Sequence, residues 1–241
     1  KSIIEHIIKP NEYLYSFDFY IHSWNTDLKD NLIKLYKPKL SLFEDNNIYK
    51  EQFIGNIAQH SCALSIKKGI ELIEQSNIDY NYIIIYRPDI LLWKNIQLDN
   101  YNNNNIYVNK HAKGNGDYHF IMNLENAKKF KYLYNSAFKG NIPKAHYWIK
   151  QYIKKYLKQN LAMDDIARAS HQEIIRNLYE WSYSKNKINE ETLLKFDLTP
   201  KIIKEYICHE HLINLVCFYS EGLPNDKALD LSDNKQLILN N

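Results

Sequence analysis

Tyr82–Tyr86, a Tyr-Ile-Ile-Ile-Tyr run, sets the strongest limit on what this chain can fold into. It is uniformly apolar, which suits a central strand covered on both faces rather than one with a wet side. Its neighbours fit that environment. Phe17–His22 reads as a buried strand rich in aromatic and β-branched residues. Residues 25–36 place Leu28, Leu32, Ile33 and Leu35 near helical spacing, and Lys37-Pro38 stops the helix. Leu40–Glu44 is a short strand candidate, and Gln52–Gln75 a long helix with Ala58, Cys62, Ser65, Gly69 and Leu72 close to a 3.6-residue period. Ile106–Val108 and Tyr118–Met122 add strands. Strands alternating with helices predict an α/β fold, a mixed sheet flanked by helices.

Beyond Leu124 the pattern predicts a mostly helical C-terminal part. Residues 125–135, 145–159, 163–184, 190–196 and 200–219 all favour helix, and 221–241 reads as a polar tail. The expected organisation is therefore an α/β region over 1–135, a helical region over 136–220 and the tail. Four consecutive asparagines, Asn102–Asn105, read as a surface loop, and no internal repeat is present.

Composition removes several classes of function. Thirty-one basic residues against 28 acidic ones leave a formal charge of +3, too balanced for a chain whose main task is coating nucleic acid. Among only six glycines there is no phosphate-binding loop, and Gly114-Asn115-Gly116 is followed by His119 where a dinucleotide fingerprint needs glycine. A P-loop NTPase and an ordinary Rossmann dehydrogenase are excluded. Three scattered cysteines describe no disulfide framework and point to a reducing, cytoplasmic setting. The longest apolar run is far shorter than the ~20 residues of a membrane span. No signal peptide is evident, and a start at Lys1 implies a natural N-terminus further upstream.

Three segments could carry chemistry. Tyr86-Arg87-Pro88-Asp89 closes the apolar strand, where open α/β sheets bind ligands outside the carboxyl ends of their strands. Arg87 and Asp89, two apart in extended chain, project to one side. The carboxylate could hold a hard divalent cation that neutralises phosphate, or the two could close the strand end as an ion pair. Lys113–Asp117 places two glycines and Asp117 just before a strand, suited either to close approach of a ligand or to a flexible turn. His22-Ser23-Trp24 follows a strand, so its rings could stack on and hydrogen-bond a base or sugar, with a core Trp24 as the alternative.

Other segments are weaker. Cys208-His209-Glu210-His211 matches no standard zinc spacing, His171-Gln172-Glu173 lacks a second histidine, and Asp164-Asp165 suits a helix start. Lys144–Lys158 is a basic amphipathic helix, with Trp148, Ile149, Tyr152, Ile153 and Tyr156 on its apolar side. It could pack on the domain or make a peripheral contact with an anionic membrane.

At these residues the chain resembles a family. Phe17–Trp24 resembles the D-x-F-I-H-[ST]-W segment of glycosyltransferase-like proteins from bacterial capsule and lipopolysaccharide loci, which have relatives in large viruses. Tyr36-Lys37-Pro38-Lys39 with Glu44 is similar to the next step of that family, Tyr80–Leu92 to its strand ending in Arg-Pro-Asp, and Asp117–Phe120 to a later Asp-containing strand. The likeness covers about residues 15–135, in order. Asn81 stands where the family has Asp, and the family's opening strand, with its Gly-x-x-Arg turn, has no counterpart before Ser2.

The resemblance implies a GT-A-like, Rossmann-like sheet without its first strand and a metal-assisted transfer of sugar from a nucleotide-sugar donor. The acceptor would be a glycan or a lipid-linked surface polysaccharide. Asp89 would ligate Mn²⁺ or Mg²⁺, and Arg87 would contact phosphate or orient Asp89. Asp117 would either bind the donor sugar or act as catalytic base, since a sugar hydroxyl is a poor nucleophile at neutral pH. Tyr86, His22 and Trp24 complete the candidate substrate contacts. Two rival readings are a non-catalytic carbohydrate-binding or assembly module and a transferase of another activated group to sugars.

Overall fold

A computed structural model describes residues 3–53, 57–87, 90–92, 95–111, 114–136, 145–157, 161–164, 172–174 and 212–219. A π-helical turn, Ile4–Ile8, leads into strand β1 (Ser16–Ser23), helix α1 (Lys29–Tyr36) and strand β2 (Leu40–Phe43). Lys37 caps α1 in the left-handed region, φ 45°, and Pro38 follows, so the expected stop is kept. A 3₁₀ segment (Asn46–Gln52) precedes helix α2 (Ile57–Gln75), which returns the chain to β3 (Tyr82–Tyr86). Then come β4 (Ile90–Leu92), a 3₁₀ turn (Leu98–Asn100), β5 (Ile106–His111) and β6 (Gly114–Met122). Helices α3 (Leu124–Phe130), α4 (Leu133–Ser136) and α5 (Ala145–Gln151) follow, the last continued by a π-helical stretch, Tyr152–Leu157. Strands β7 (Leu161–Asp164), β8 (Gln172–Ile174) and β9 (Leu212–Tyr219) complete the described elements.

Seven strands form one sheet in the order β2-β1-β9-β3-β6-β5-β7, and β4 pairs with β8 in a separate antiparallel ribbon. β1, β2, β3, β5 and β7 share one direction, while β6 and β9 oppose it. The α/β expectation therefore holds as a mixed sheet flanked by helices. The expectation of helix over 200–219 does not hold for its described part, 212–219. Leu212–Tyr219 is a strand in the middle of the sheet, paired with β1 on one side and β3 on the other. Met163 likewise lies in β7 and not in a helix, and Asp164 is the last residue of that strand. A mostly apolar run of eight residues, broken by Asn214, suits a covered strand as well as a buried helix, and pairing with distant strands decides between them.

β3 shows why the sheet is covered twice. Ile83 and Ile85 enter one core cluster with Ile66 and Ile70 of α2 and with Phe130, Trp148 and Ile153 from the helices after β6. Tyr82, Ile84 and Tyr86 enter a second cluster with Ile7, Leu98 and Ile121. All five β3 residues are buried, as the apolar run requires. Trp148, Ile149, Tyr152 and Ile153 are buried as well, so the apolar side of the basic helix faces the core rather than a bilayer. Among the described residues no helix is long and apolar enough to cross a membrane.

Candidate functional site

The strand directions bring the sequence motifs to one edge of the sheet. β1, β2 and β3 end there, at Ser23, Phe43 and Tyr86, and β9 begins there, with Leu212 opposite Ser23 and Asn214 opposite Tyr86. β6 runs the other way. Its His119 pairs with Tyr86, so the preceding residues of β6, Asp117 among them, continue along the strand past that pair. Arg87, half-buried, follows Tyr86 directly. Asp89 and the side chain of Asp117 lie outside the described residues, as do His171 and Cys208–His211.

His22 is the penultimate residue of β1 toward that edge, and it is fully buried. Its Nε2 lies 3.1 Å from Glu44 Oε1 and its Nδ1 2.7 Å from Ser65 Oγ on α2. An ionised carboxylate can only accept, so Nε2 carries the proton and Nδ1 accepts the Ser65 hydroxyl. Tyr49 OH donates to Glu44 Oε2 at 3.0 Å, and Lys68 Nζ donates to Tyr49 OH at 2.8 Å and stands 3.2 Å from Glu44 Oε1. Burial would raise the Glu44 carboxyl, but hydrogen bonds from His22, Lys68 and Tyr49 outweigh it and hold the group below its ordinary range. Both ring nitrogens of His22, a candidate for hydrogen-bonding a base or sugar, are thus engaged within the fold. His22 is a brace between β1, the end of β2 and α2.

The same brace sets a pH dependence. Burial pushes the His22 imidazole down to about 4 from 6.5, against the pull of Glu44. A base whose folded pKa is depressed favours folding above its unfolded pKa and loses that advantage as pH falls toward the folded one. Stability is therefore expected to drop by about 3 kcal/mol from near neutrality to pH 4. Glu44, whose own pKa is lowered, adds a loss of the same sign in more acid solution. Urea unfolding at a series of pH values measures the slope. His22→Gln should flatten it between pH 6.5 and 4, and an unchanged slope would clear His22 as its source.

Trp24 stands edge-on to His22, ring centroids 4.4 Å apart, and 5.4 Å from Tyr49. Only 9% of it is exposed, which is the core placement the sequence allowed as the alternative to stacking on a ligand. Its buried Nε1–H has no acceptor among the described residues. Tyr86, the other candidate substrate contact, is fully buried in the second cluster. Of the expected contacts with described side chains, Arg87 alone is not counted among the buried residues.

The opposite edge carries a second network. Tyr80 OH donates to Asp18 Oδ2 at 2.6 Å and lies 2.6 Å from Tyr20 OH, while Lys39 Nζ reaches the same Asp18 oxygen at 3.1 Å. Burial, with the hydrogen bond to Asp18, holds the Tyr80 phenol well above its ordinary pKa. Asp18, Lys39 and Tyr80 come from three separate motif segments, so those segments are knitted together physically. The acid of Phe17–Trp24 thereby serves the fold. An open cavity of about 530 Å³, lined by Glu74, Asn77, Ile78, Asp79, Leu124 and Lys128, lies by the α2–β3 turn, at the far end of β3 from Arg87.

The partners Ser65, Tyr49 and Lys68 carry no local signal in the sequence. Ser65 is 43 residues from His22 and meets it only because α2 packs across β1. Among the described residues no three His, Cys, Asp or Glu side chains gather as a metal site. Comparison with known proteins gives no matching family model, no similar curated protein and no similar solved structure.

Proposed function

We propose that the chain is a glycosyltransferase of GT-A-like design that uses a nucleotide-sugar donor, with the reaction centred at the edge where β1 and β3 end. One observation carries the reading. Arg87 follows the end of β3 at the edge where β1 also ends, and antiparallel β6, which holds Asp117, pairs with β3 there. That is where an α/β sheet binds ligands. Arg87 supplies a fixed cation for a diphosphate. Asp89, two residues on, would ligate Mn²⁺ or Mg²⁺, an ion that takes one or two protein carboxylates and completes its shell with phosphate oxygens and water. Bound there, the metal would neutralise charge on the departing nucleoside diphosphate. Asp117 would bind the donor sugar or accept the proton of the acceptor hydroxyl, and the acceptor would be a glycan or a lipid-linked chain.

The burial of His22, Trp24 and Tyr86 favours one second reading, a non-catalytic carbohydrate-binding module of the same design. Thermal unfolding with Mn²⁺ and UDP-, GDP-, CMP- and dTDP-sugars tests the donor site. A ligand that binds only the folded chain stabilises it by about 2.7 kcal/mol at a hundred times its dissociation constant. A metal-dependent rise in Tm with one nucleotide is expected. Binding without turnover would favour the module, and no shift with any donor would remove the proposal.

A further inference from the structure

Positive charge is concentrated in one stretch of this chain. From Leu124 to Lys158 there are nine lysines and one acidic residue, Glu125, a net +8 within a chain of total charge +3. The remaining residues together are therefore acidic by five charges. The stretch contains no arginine.

The fold brings parts of this stretch side by side. Tyr152 OH donates to the Lys129 carbonyl at 2.8 Å, the rings of Phe130 and Tyr152 lie 6.1 Å apart, and Trp148 Nε1 donates to Ser136 Oγ at 2.9 Å. These contacts join α3 and α4 to α5 and its π-helical continuation. Both groups of helices turn their apolar residues into the main core. Lys128, Lys129, Lys154 and Lys155 are left exposed, and so is Tyr132, 53% exposed, with Lys131 Nζ 5.3 Å from its ring centroid. Lys131 is tied to Glu74 at 2.7 Å and Lys129 to Glu125 at 3.2 Å, the latter pair largely open to solvent and weak for that reason.

We infer that this lysine face docks the protein on a bilayer surface bearing anionic headgroups, by charge and without insertion of a helix. Insertion would need the apolar side that the core already occupies. Ammonium groups on long stems act as point charges and suit a diffuse layer of lipid phosphates and carboxylates. An exposed tyrosine in the same stretch matches the amphipathic rings found at headgroup level. Nucleic acid is the poorer match, because the stretch lacks the arginine fork that reads bases and grips phosphate in two-point contacts. The inference is independent of whether the chain transfers sugar.

Co-sedimentation with vesicles of phosphatidylcholine alone, and of phosphatidylcholine with one-third phosphatidylserine, tests it. The chain should pellet with the anionic vesicles only, and release as salt shortens the screening length. Each lysine near such a surface contributes about fivefold in partitioning, so replacing Lys128, Lys129, Lys154 and Lys155 by Ala should weaken binding by about a hundredfold or more. Replacing Lys9, Lys29, Lys34 and Lys50, exposed lysines elsewhere, should matter much less. If the fourfold patch variant fails to fold, Lys154→Glu with Lys155→Glu gives the same reading. Equal binding to neutral vesicles, no binding to either, or equal losses from both lysine sets would overturn the inference. Tighter retention of a single-stranded RNA through the same four lysines would overturn it in favour of nucleic acid.

Discussion

Replacing Cys217 by Asp is expected to destabilise the fold severely. Cys217 is completely buried in β9, opposite Asp18 of β1 and Ile83 of β3. Burial and the nearby Asp18 already push its thiol well above the usual range, which marks the place as hostile to negative charge. A carboxylate there would be desolvated and set against another carboxylate, at a cost on the order of 4 kcal/mol or more. Whole domains are stable by only about 5–15 kcal/mol. Cys217→Ala removes one sulfur and should leave a cooperative thermal transition. The contrast is a direct test of β9, because a surface position in a helix would accept Asp with little loss. Circular dichroism melts of the two variants suffice, and a near-native melt for Cys217→Asp would remove Leu212–Tyr219 from the centre of the sheet.

Under the proposed function, Asp89→Asn is expected to end sugar transfer while leaving the fold in place, since Asn keeps the shape of Asp and loses its charge. Even the outer partners of metal ligands cost about 10–100-fold when removed, so loss of the ligand itself should exceed a hundredfold in turnover. The metal-free Tm should be unchanged, and the rise caused by Mn²⁺ with a donor should vanish. Full activity in Asp89→Asn would remove the metal assignment. Activity lost together with the metal-free Tm would make Asp89 a structural residue, the ion-pair alternative its spacing with Arg87 allows.

Local signals carried a good part of the architecture. β3 has the predicted bounds, Tyr82–Tyr86, because five apolar residues between polar neighbours admit few alternatives. β2 starts where expected, at Leu40, and α1 and α2 end where expected, at Tyr36 and Gln75, but both helices begin later than their periodicity suggests, at Lys29 and Ile57. β9 was not legible, since nothing in Leu212–Tyr219 states that strands some 190 and 130 residues earlier will flank it. The candidate site divides the same way. The strand-end positions of Trp24 and Arg87 were readable, whereas the burial of His22 and Tyr86 depends on α2 and on the second core cluster. His22 carries hydrogen-bonding groups that would suit a ligand equally well, and only the positions of Ser65 and Glu44 show that they are already engaged.

The place of β9 also imposes an order on biosynthesis. β1 and β3 leave the ribosome early, yet neither gains its partner on this side until residue 212 and its successors have been made. At about 5–20 residues per second, β1 waits roughly ten to forty seconds with a bare backbone edge. Throughout that interval the nascent chain displays the kind of open, apolar strand edge that pairs with neighbouring chains. The late strand therefore governs yield: conditions that slow translation or crowd ribosomes lengthen the exposure, and a holdase that covers β1 and β3 shortens its consequences.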